Sequence, residues 1–352
     1  MKRRSFVRHA TVTGVAVATA PNLVGDLVAG STFGGSPALE GSPALVGLGE
    51  RADLVLRGGM VFDGTGASPR ALDVVITGDR ITAMTSDAPA GGEELDVTGL
   101  AIAPGFIDVH SHADMNLFVN RNAESRIRQG VTLEVVGQDG GSIGPWSDAQ
   151  FESNRDSWRR RGVEIDFRDP AGFVERISRE SPAVNVASMV GNGALRGLVV
   201  GNDDRPAAPA EIAEMQDILE DQLKRGCVGL SSGLEYTPSG FADAAELVAL
   251  ASVLVGTRLP YASHMRNEDD RLLGAVEEAL HVGRVAGVPV QISHLKAQGQ
   301  RNYWKAEAAL ALIERASNDG LDVHFDRYPY TAYATGLSNL FPSSYRAGGS
   351  EA

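Results

Sequence analysis

Cysteine is nearly absent from this 352-residue chain: Cys227 is the only one. No internal disulfide can form. Its place at the head of an apolar segment marks it as a small buried residue. Positive charge is also scarce. Lys and Arg number 32 against 45 Asp and Glu, a net charge of −13, which excludes nucleic acid as a partner because phosphate backbones attract basic surfaces. No apolar run approaches the roughly 20 residues a helix needs to span a bilayer. No Gly-x-Gly-x-x-Gly turn follows the first strand of the repeating region, so nothing marks a dinucleotide site. What is there is an ordinary globular composition, 43% apolar and 22% charged, long enough for a large core or two domains.

The N-terminus "MKRRSFVRHATVTGVAVATA" pairs Arg3 and Arg4 with Ser5 and Phe6 ahead of a weakly apolar stretch. This pattern predicts a twin-arginine export signal over residues 1–30 and a periplasmic or extracellular destination. Residues 31–50, with the tandem "GSPALEGSPAL", read as a flexible linker. Residues 51–104 read as β-structure forming a partial β-sandwich. "ADLVLRGGMVFDGTG" suggests two strands about a Gly-Gly turn, and "ALDVVITGDRITAM" two more about Gly-Asp.

From residue 105 the rhythm changes to strand, loop, helix. Strand segments fall at 105–112, 131–140, 183–193, 227–236, 259–268, 288–299 and 321–332. Between them, "PAEIAEMQDILEDQLKRG" opens on a proline and closes on Lys224, Arg225 and Gly226, as helices start and stop. Its Ile212, Met215, Leu219 and Leu223 keep the helical period. Such alternation predicts a parallel sheet in an α/β fold, with residues 105–352 supplying about seven of the eight strands of a TM (β/α)8 barrel. A doubly wound open sheet is the alternative.

Barrel active sites lie at the C-terminal ends of the strands, and there the polar residues collect. "APGFIDVHSH" ends in His110 and His112, after Phe106, Ile107 and Val109, which read as buried. Residues i and i+2 of a strand share a face, so two imidazoles aim at one point. They are either two surface histidines or two ligands of one metal ion. The later strands decide for the metal. His264 and His294 end two of them, Gln138 and Asp139 another, and four of the seven histidines thus gather at one mouth. Histidine with carboxylate suits zinc, other first-row divalent ions being possible. Such an ion activates water at neutral pH and polarises a carbonyl, so hydrolysis of an amide or related bond is expected. His324, Asp326, Tyr328 and Tyr330 alternate on the last strand, the tyrosines reading as pocket-lining. His281 falls within a helix and reads as structural.

These motifs resemble a known family. "APGFIDVHSH" behind a short β-rich segment resembles the amidohydrolase superfamily. "SSGLEYTPSGFA", "YASHMRNE", "VQISHLKAQG" and "YPYTAYATGL" resemble the N-acyl-D-amino-acid deacylases within it. The resemblance runs from about Ala52 to Ala352. It implies zinc-dependent hydrolysis of N-acyl-D-amino acids by metal-activated hydroxide, with one or two ions, and a small-molecule substrate as partner. It also implies metal ligands at His110, His112, His264 and His294. Asp139, in "GQDG", occupies the slot where relatives carry a bridging cysteine in "GNCG". Lys296 matches a lysine that binds the substrate carboxylate, and Tyr236 and Tyr328 match pocket tyrosines. Ala334 stands for a serine and Asn192 for a histidine. The family's catalytic aspartate and a carboxylate-gripping arginine fall beyond Ala352, so a truncated chain is expected. A hydantoinase or dihydroorotase relative would instead carry a bridging lysine on the fourth strand, and "CVGLSSGLEY" has none. A non-enzymatic remnant of the fold is the other alternative. Nothing in the sequence specifies an oligomeric state.

Overall fold

The computed structural model describes residues 52–341 and 345–347. The expected export signal (1–30) and linker (31–50) lie outside the described residues. The chain divides into two compact units. In the first, strands β1 (Leu54–Val61), β2 (Arg70–Thr77), β3 (Arg80–Thr85), β4 (Glu93–Asp96) and β5 (Ala101–Ile102) form one sheet. Its order is β3-β2-β1-β4, with β5 also on β1. The β2–β3 hairpin turns at Gly78 and Asp79, as the sequence suggests. The Gly-Gly pair does not. β1 runs straight through Gly58 and Gly59, and its register against β2 shifts between Leu56 and Gly59. Gly58 takes the left-handed φ of +70° and donates its N–H to Asp73 Oδ1 at 2.9 Å. The pair is therefore a bulge, which glycine permits at no steric cost. Ala52, Val55, Val75 and Ala88 make a small core.

In the second unit the strands carry the expected alternation with helices. Strands β6 (Phe106–Asp108), β7 (Val131–Val136) and β8 (Asn185–Ser188), whose later residues fall in this unit, form a three-stranded sheet in that order. Then β9 (Val190–Gly191), β10 (Leu230–Gly233), β11 (Tyr261–His264), β12 (Val290–Ile292) and β13 (Val323–Phe325) pair consecutively, every pair parallel. Only Met189 separates β8 from β9, and its N–H bonds to the carbonyl of Val136. Each strand falls inside a segment read from the sequence, but most are only three or four residues long. The functional residues sit on the irregular backbone just past them.

Helix α1 (Pro209–Lys224) forms as its caps dictate, with proline at the first turn. It buries Met215 and Leu219 in a core shared with Leu230, Leu247, Leu250 and Tyr261. Cys227 lies in the same core, and burial pushes its thiol up to about 12, so it is an inert small apolar side chain. Helices α2 (Leu272–Ala286) and α3 (Lys305–Asn318) pack with β12 and β13 through Val276, Leu280, Ile292 and Ile313. The expected burial of Phe106, Ile107 and Val109 does not occur: they are 62%, 52% and 43% exposed. Among the described residues β6 lies at the edge of its sheet with β7 as its one neighbour, so its apolar side chains lack a neighbouring strand on the other flank. Among the described residues, no helix is long and apolar enough to cross a membrane.

Candidate metal centre

His110 and His112 follow the last residue of β6. The alternation expected of a strand persists in this irregular stretch. Between them Ser111 turns the other way, its hydroxyl donating to the buried Glu134 carboxylate at 2.7 Å. The two imidazoles therefore face one point, with ring centroids 5.3 Å apart. That point is Asp139. Nε2 of His110 lies 3.4 Å from its Oδ1, and Nε2 of His112 lies 3.2 Å from its Oδ2.

Asp139 reaches this position through backbone that few residues adopt. It follows β7 with a left-handed φ of +56° between two positive-φ glycines, Gly137 and Gly140. Its carbonyl presses on the end of β10, where a Cβ at Gly233 would sit 1.9 Å from the oxygen. Only glycine fits there. From the opposite side, His264 ends β11 and turns Nδ1 to within 3.7 Å of Asp139 Oδ2. His294 follows β12 at φ +36° and brings Nε2 to 3.6 Å from Oδ1. His264 Nδ1 and His294 Nε2 are 2.8 Å apart. Thus the structure brings together all five residues read from the sequence as metal ligands.

The outward nitrogens meet a second ring of carboxylates. His110 Nδ1 lies 3.2 Å from Asp326 Oδ1, His294 Nδ1 lies 2.9 Å from Glu268 Oε1, and His264 Nε2 lies 3.4 Å from Glu235 Oε2. Such partners fix which ring nitrogen faces the centre. The sequence alone did not single these three out for this role. Their signal was their place past strand ends: Glu235 two residues after β10, Glu268 four residues after His264, and Asp326 directly after β13.

The electrostatics follow from the crowding. Burial opposes charge on His110, but the Asp139 and Asp326 carboxylates outweigh it and raise its pKa to about 10. His264 rises to about 9 in the same way, against burial and through Asp139 and Glu235. Burial opposes ionisation of Asp139 too, yet the four histidines hold it well below the usual carboxylate range. Asp326 and Glu268 are also held low, against burial, by their histidine partners. The site is a field that gathers positive charge. His110 Nε2 and Asp139 Oδ1 are buried, and though close they are not aligned to hydrogen-bond to each other or to any other group among the described residues. Two orphaned ligand atoms facing one space are what a cation would satisfy. His110, Asp139 and His294 form one group whose ligand atoms lie within 4.8 Å of one another, and His264, Glu268 and His294 form a second. Imidazole nitrogen with carboxylate oxygen fits a divalent first-row ion.

Beside the histidines, the Lys296 ammonium is 2.6 Å from both oxygens of Glu268 and 3.0 Å from His294 Nδ1. The Tyr328 and Tyr333 rings stand 5.4 and 5.8 Å from it. The Tyr236 ring packs 4.5 Å from that of His264. Burial pushes the phenols of Tyr236 and Tyr328 up to about 12, so both stay neutral donors. Tyr330 stacks on Tyr328 but is 70% exposed. His324 is not brought in. It is exposed, pairs with Asp322 at 3.1 Å, and lines a separate cavity of about 440 Å³ with Ile313 and Phe325. His281 is exposed on α2. Asn192 is buried and accepts a hydrogen bond from the Ser239 hydroxyl. Ala334 is exposed.

Comparison with known proteins supplies an independent line. The chain is 38% identical over 287 residues to D-aminoacylase of Alcaligenes xylosoxydans xylosoxydans, covering 81% of this chain and 59% of that protein. It is 39% identical over 289 residues to N-acyl-D-glutamate deacylase of the same organism, covering 81% and 58%. Among solved structures it matches N-acyl-D-glutamate deacylase from Bordetella bronchiseptica, complexed with zinc and a phosphonate mimic of the tetrahedral intermediate. There the TM-score is 0.72 at 35% identity, covering 80% of this chain and 59% of that one. A structure described as D-aminoacylase defining a novel subset of amidohydrolases matches at 0.69 and 35%, covering 79% and 59%. An L-hydantoinase from Arthrobacter aurescens matches at 0.52 and 15%, covering 79% and 58%, a likeness of fold alone. The chain spans 58–59% of the length of these two curated relatives. No family model matches it.

Proposed function

We propose, from the premise that this chain is a homologue of the N-acyl-D-amino-acid deacylases of the amidohydrolase superfamily, that the protein hydrolyses the amide bond of N-acyl-D-amino acids. The products are a carboxylate and a D-amino acid. The observation that carries this reading is the convergence of four histidines on Asp139 at the ends of parallel strands. The fold to which these strands belong is read as an amidohydrolase-type (β/α)8 barrel, with the first unit as part of a β-sandwich. The consecutive parallel pairing and the hydantoinase likeness support this.

His110, His112, Asp139, His264 and His294 would hold zinc, one ion or two. When bound, the metal supplies an activated water and polarises the acyl carbonyl. The rest falls to the chain's own side chains. Glu268 clamps Lys296 by both carboxylate oxygens, so the ammonium is held at a fixed place beside His294 and offers a substrate carboxylate a point of attachment. The Tyr328 ring flanks the same ammonium and presents a neutral hydroxyl. Tyr236 covers the His264 side. Anchoring the carboxylate there fixes the acyl group's orientation before reaction, which is where positioning residues contribute most to rate. The twin-arginine pattern supports export as the protein's route.

The test is amide hydrolysis of N-acetyl-D-amino acids and their L-isomers by the zinc-loaded protein, with and without a chelator. Hydrolysis of the D-isomer that disappears with chelation and returns with zinc is expected. Hydrolysis that survives metal removal, or that favours the L-isomer, contradicts the reading.

A further inference from the structure

We propose that Asp326 is a positioning residue for the metal centre, setting the tautomer of His110 and holding His294 at its bend. The inference rests on the metal reading above. Asp326 follows β13 and meets two ligands from two other strands. Its Oδ1 and Oδ2 lie 3.2 and 3.3 Å from His110 Nδ1. Its Oδ1 also accepts the backbone N–H of His294 at 2.7 Å, and its Oδ2 accepts a hydrogen bond from Gln291 Nε2 at 2.9 Å.

The backbone repeats the connection. Asp326 N–H donates to the Ile292 carbonyl at 3.1 Å, and the Asp326 carbonyl accepts from Leu295 N–H at 2.9 Å. Three hydrogen bonds thus bracket the one residue of this segment with a positive φ, His294 at +36°. A non-glycine residue stays in that region only where its surroundings over-determine it, and Asp326 supplies those surroundings. On the other side, the Asp326 carboxylate at His110 Nδ1 keeps a ring proton on that nitrogen, so Nε2, which faces Asp139, is the nitrogen that would give up its proton to a metal ion. That Nε2 is one of the two buried atoms of the centre with no hydrogen-bond partner among the described residues. A neutral residue without acceptors at 326 would lose the side-chain contacts to His110 Nδ1 and to the His294 N–H together, leaving the two backbone bonds in place.

The experiment uses the whole chain and cobalt(II) as the probe, with zinc for spectroscopy. Metal-free wild type, Asp326→Ala and Asp326→Asn are titrated with cobalt while the visible absorption of the bound ion is followed. The ring 15N shifts of His110 are then read in the zinc-loaded proteins. Thermal unfolding checks that each variant is folded. Asp326→Ala is expected to bind cobalt more weakly by on the order of 10- to 100-fold, the usual cost of losing such an outer partner. Its absorption spectrum changes, and the His110 signals move away from the Nδ1–H, Nε2-ligated pattern. Should Asp326→Ala not fold, Asp326→Asn carries the comparison. It keeps one acceptor and is expected to show a smaller loss in the same direction. His324→Ala, two residues away and exposed, is expected to bind as wild type. Wild-type affinity, spectrum and His110 shifts in a folded Asp326 variant overturn this proposal and leave the metal reading standing. No cobalt binding by wild type overturns both.

Discussion

Glu268 holds Lys296 by both of its carboxylate oxygens, each 2.6 Å from the ammonium, and the same carboxylate lies 2.9 Å from Nδ1 of His294. One carboxylate, 2% exposed, therefore serves a residue assigned to substrate and a residue assigned to metal.

Removing either partner of that pair leaves a charge without its counterion in a largely desolvated place. Glu268→Gln is expected to lower stability by about 2–3 kcal/mol and to raise KM for the acyl amino acid. Lys296→Met is expected to lower stability by a similar amount. Because the two charges compensate each other, the double variant should cost less than the sum of the singles, by about 0.5–3 kcal/mol. Urea unfolding of the four proteins in a double-mutant cycle measures it. Strict additivity would mean that the pair is not coupled.

Asp139 is the focus of all four histidines. Asp139→Ala is expected to lose bound zinc during purification, while Asp139→Cys, which restores an anionic ligand, retains it. Metal content by elemental analysis decides. Retention of wild-type zinc by Asp139→Ala would remove Asp139 from the centre.

Gly233 is defined by its neighbour's backbone, since a Cβ there meets the Asp139 carbonyl at 1.9 Å. Gly233→Ala is expected to push Asp139 away from the histidines and to weaken zinc binding by about tenfold, although residue 233 is no ligand. Competition with a chromophoric chelator reads the affinity. An unchanged value would show that the Asp139 bend relaxes freely.

The pKa shifts give metal-free and zinc-loaded protein opposite pH trends. His110 and His264 rise from 6.5 to about 10 and about 9. Their pairing with Asp139 stabilises the metal-free fold fully below 6.5, and this is lost as pH rises through 9 to 10. Asp139 is shifted down from 3.8, so its contribution is present above that value and fades in stronger acid. Zinc must displace the histidine protons, so its affinity rises with pH over the range in which the metal-free form weakens. Thermal midpoints with and without chelator are expected to diverge from about pH 7 to 9. A constant gap would show that no proton is released on binding.

Much of this was legible in the sequence because it depends on order and spacing. Seven alternating segments gave the strands, and capping residues gave the helix at Pro209–Lys224. His110, His112, His264 and His294 were found because histidine at a strand end is rare and a parallel sheet brings strand ends together. Three things were not legible. The bulge at Gly58 looks like a turn until Asp73 is seen to take its N–H from the neighbouring strand. The exposure of Phe106 and Ile107 depends on β6 being an edge, which a local apolar run does not reveal. The roles of Glu268 and Asp326 depend on contacts with residues 26 or more positions away in sequence, Glu268 with Nδ1 of His294 and Asp326 with the backbone N–H of His294 and Nδ1 of His110, which an acidic residue in a charged sequence does not announce.

The most direct test of the metal centre is anomalous diffraction at the zinc edge from crystals of the zinc-loaded protein. One or two peaks are expected within bonding distance, about 2.0–2.2 Å, of Asp139 and of ring nitrogens of His110, His112, His264 and His294. A fully loaded crystal with no peak among these residues, or with zinc held only elsewhere on the surface, would contradict the assignment.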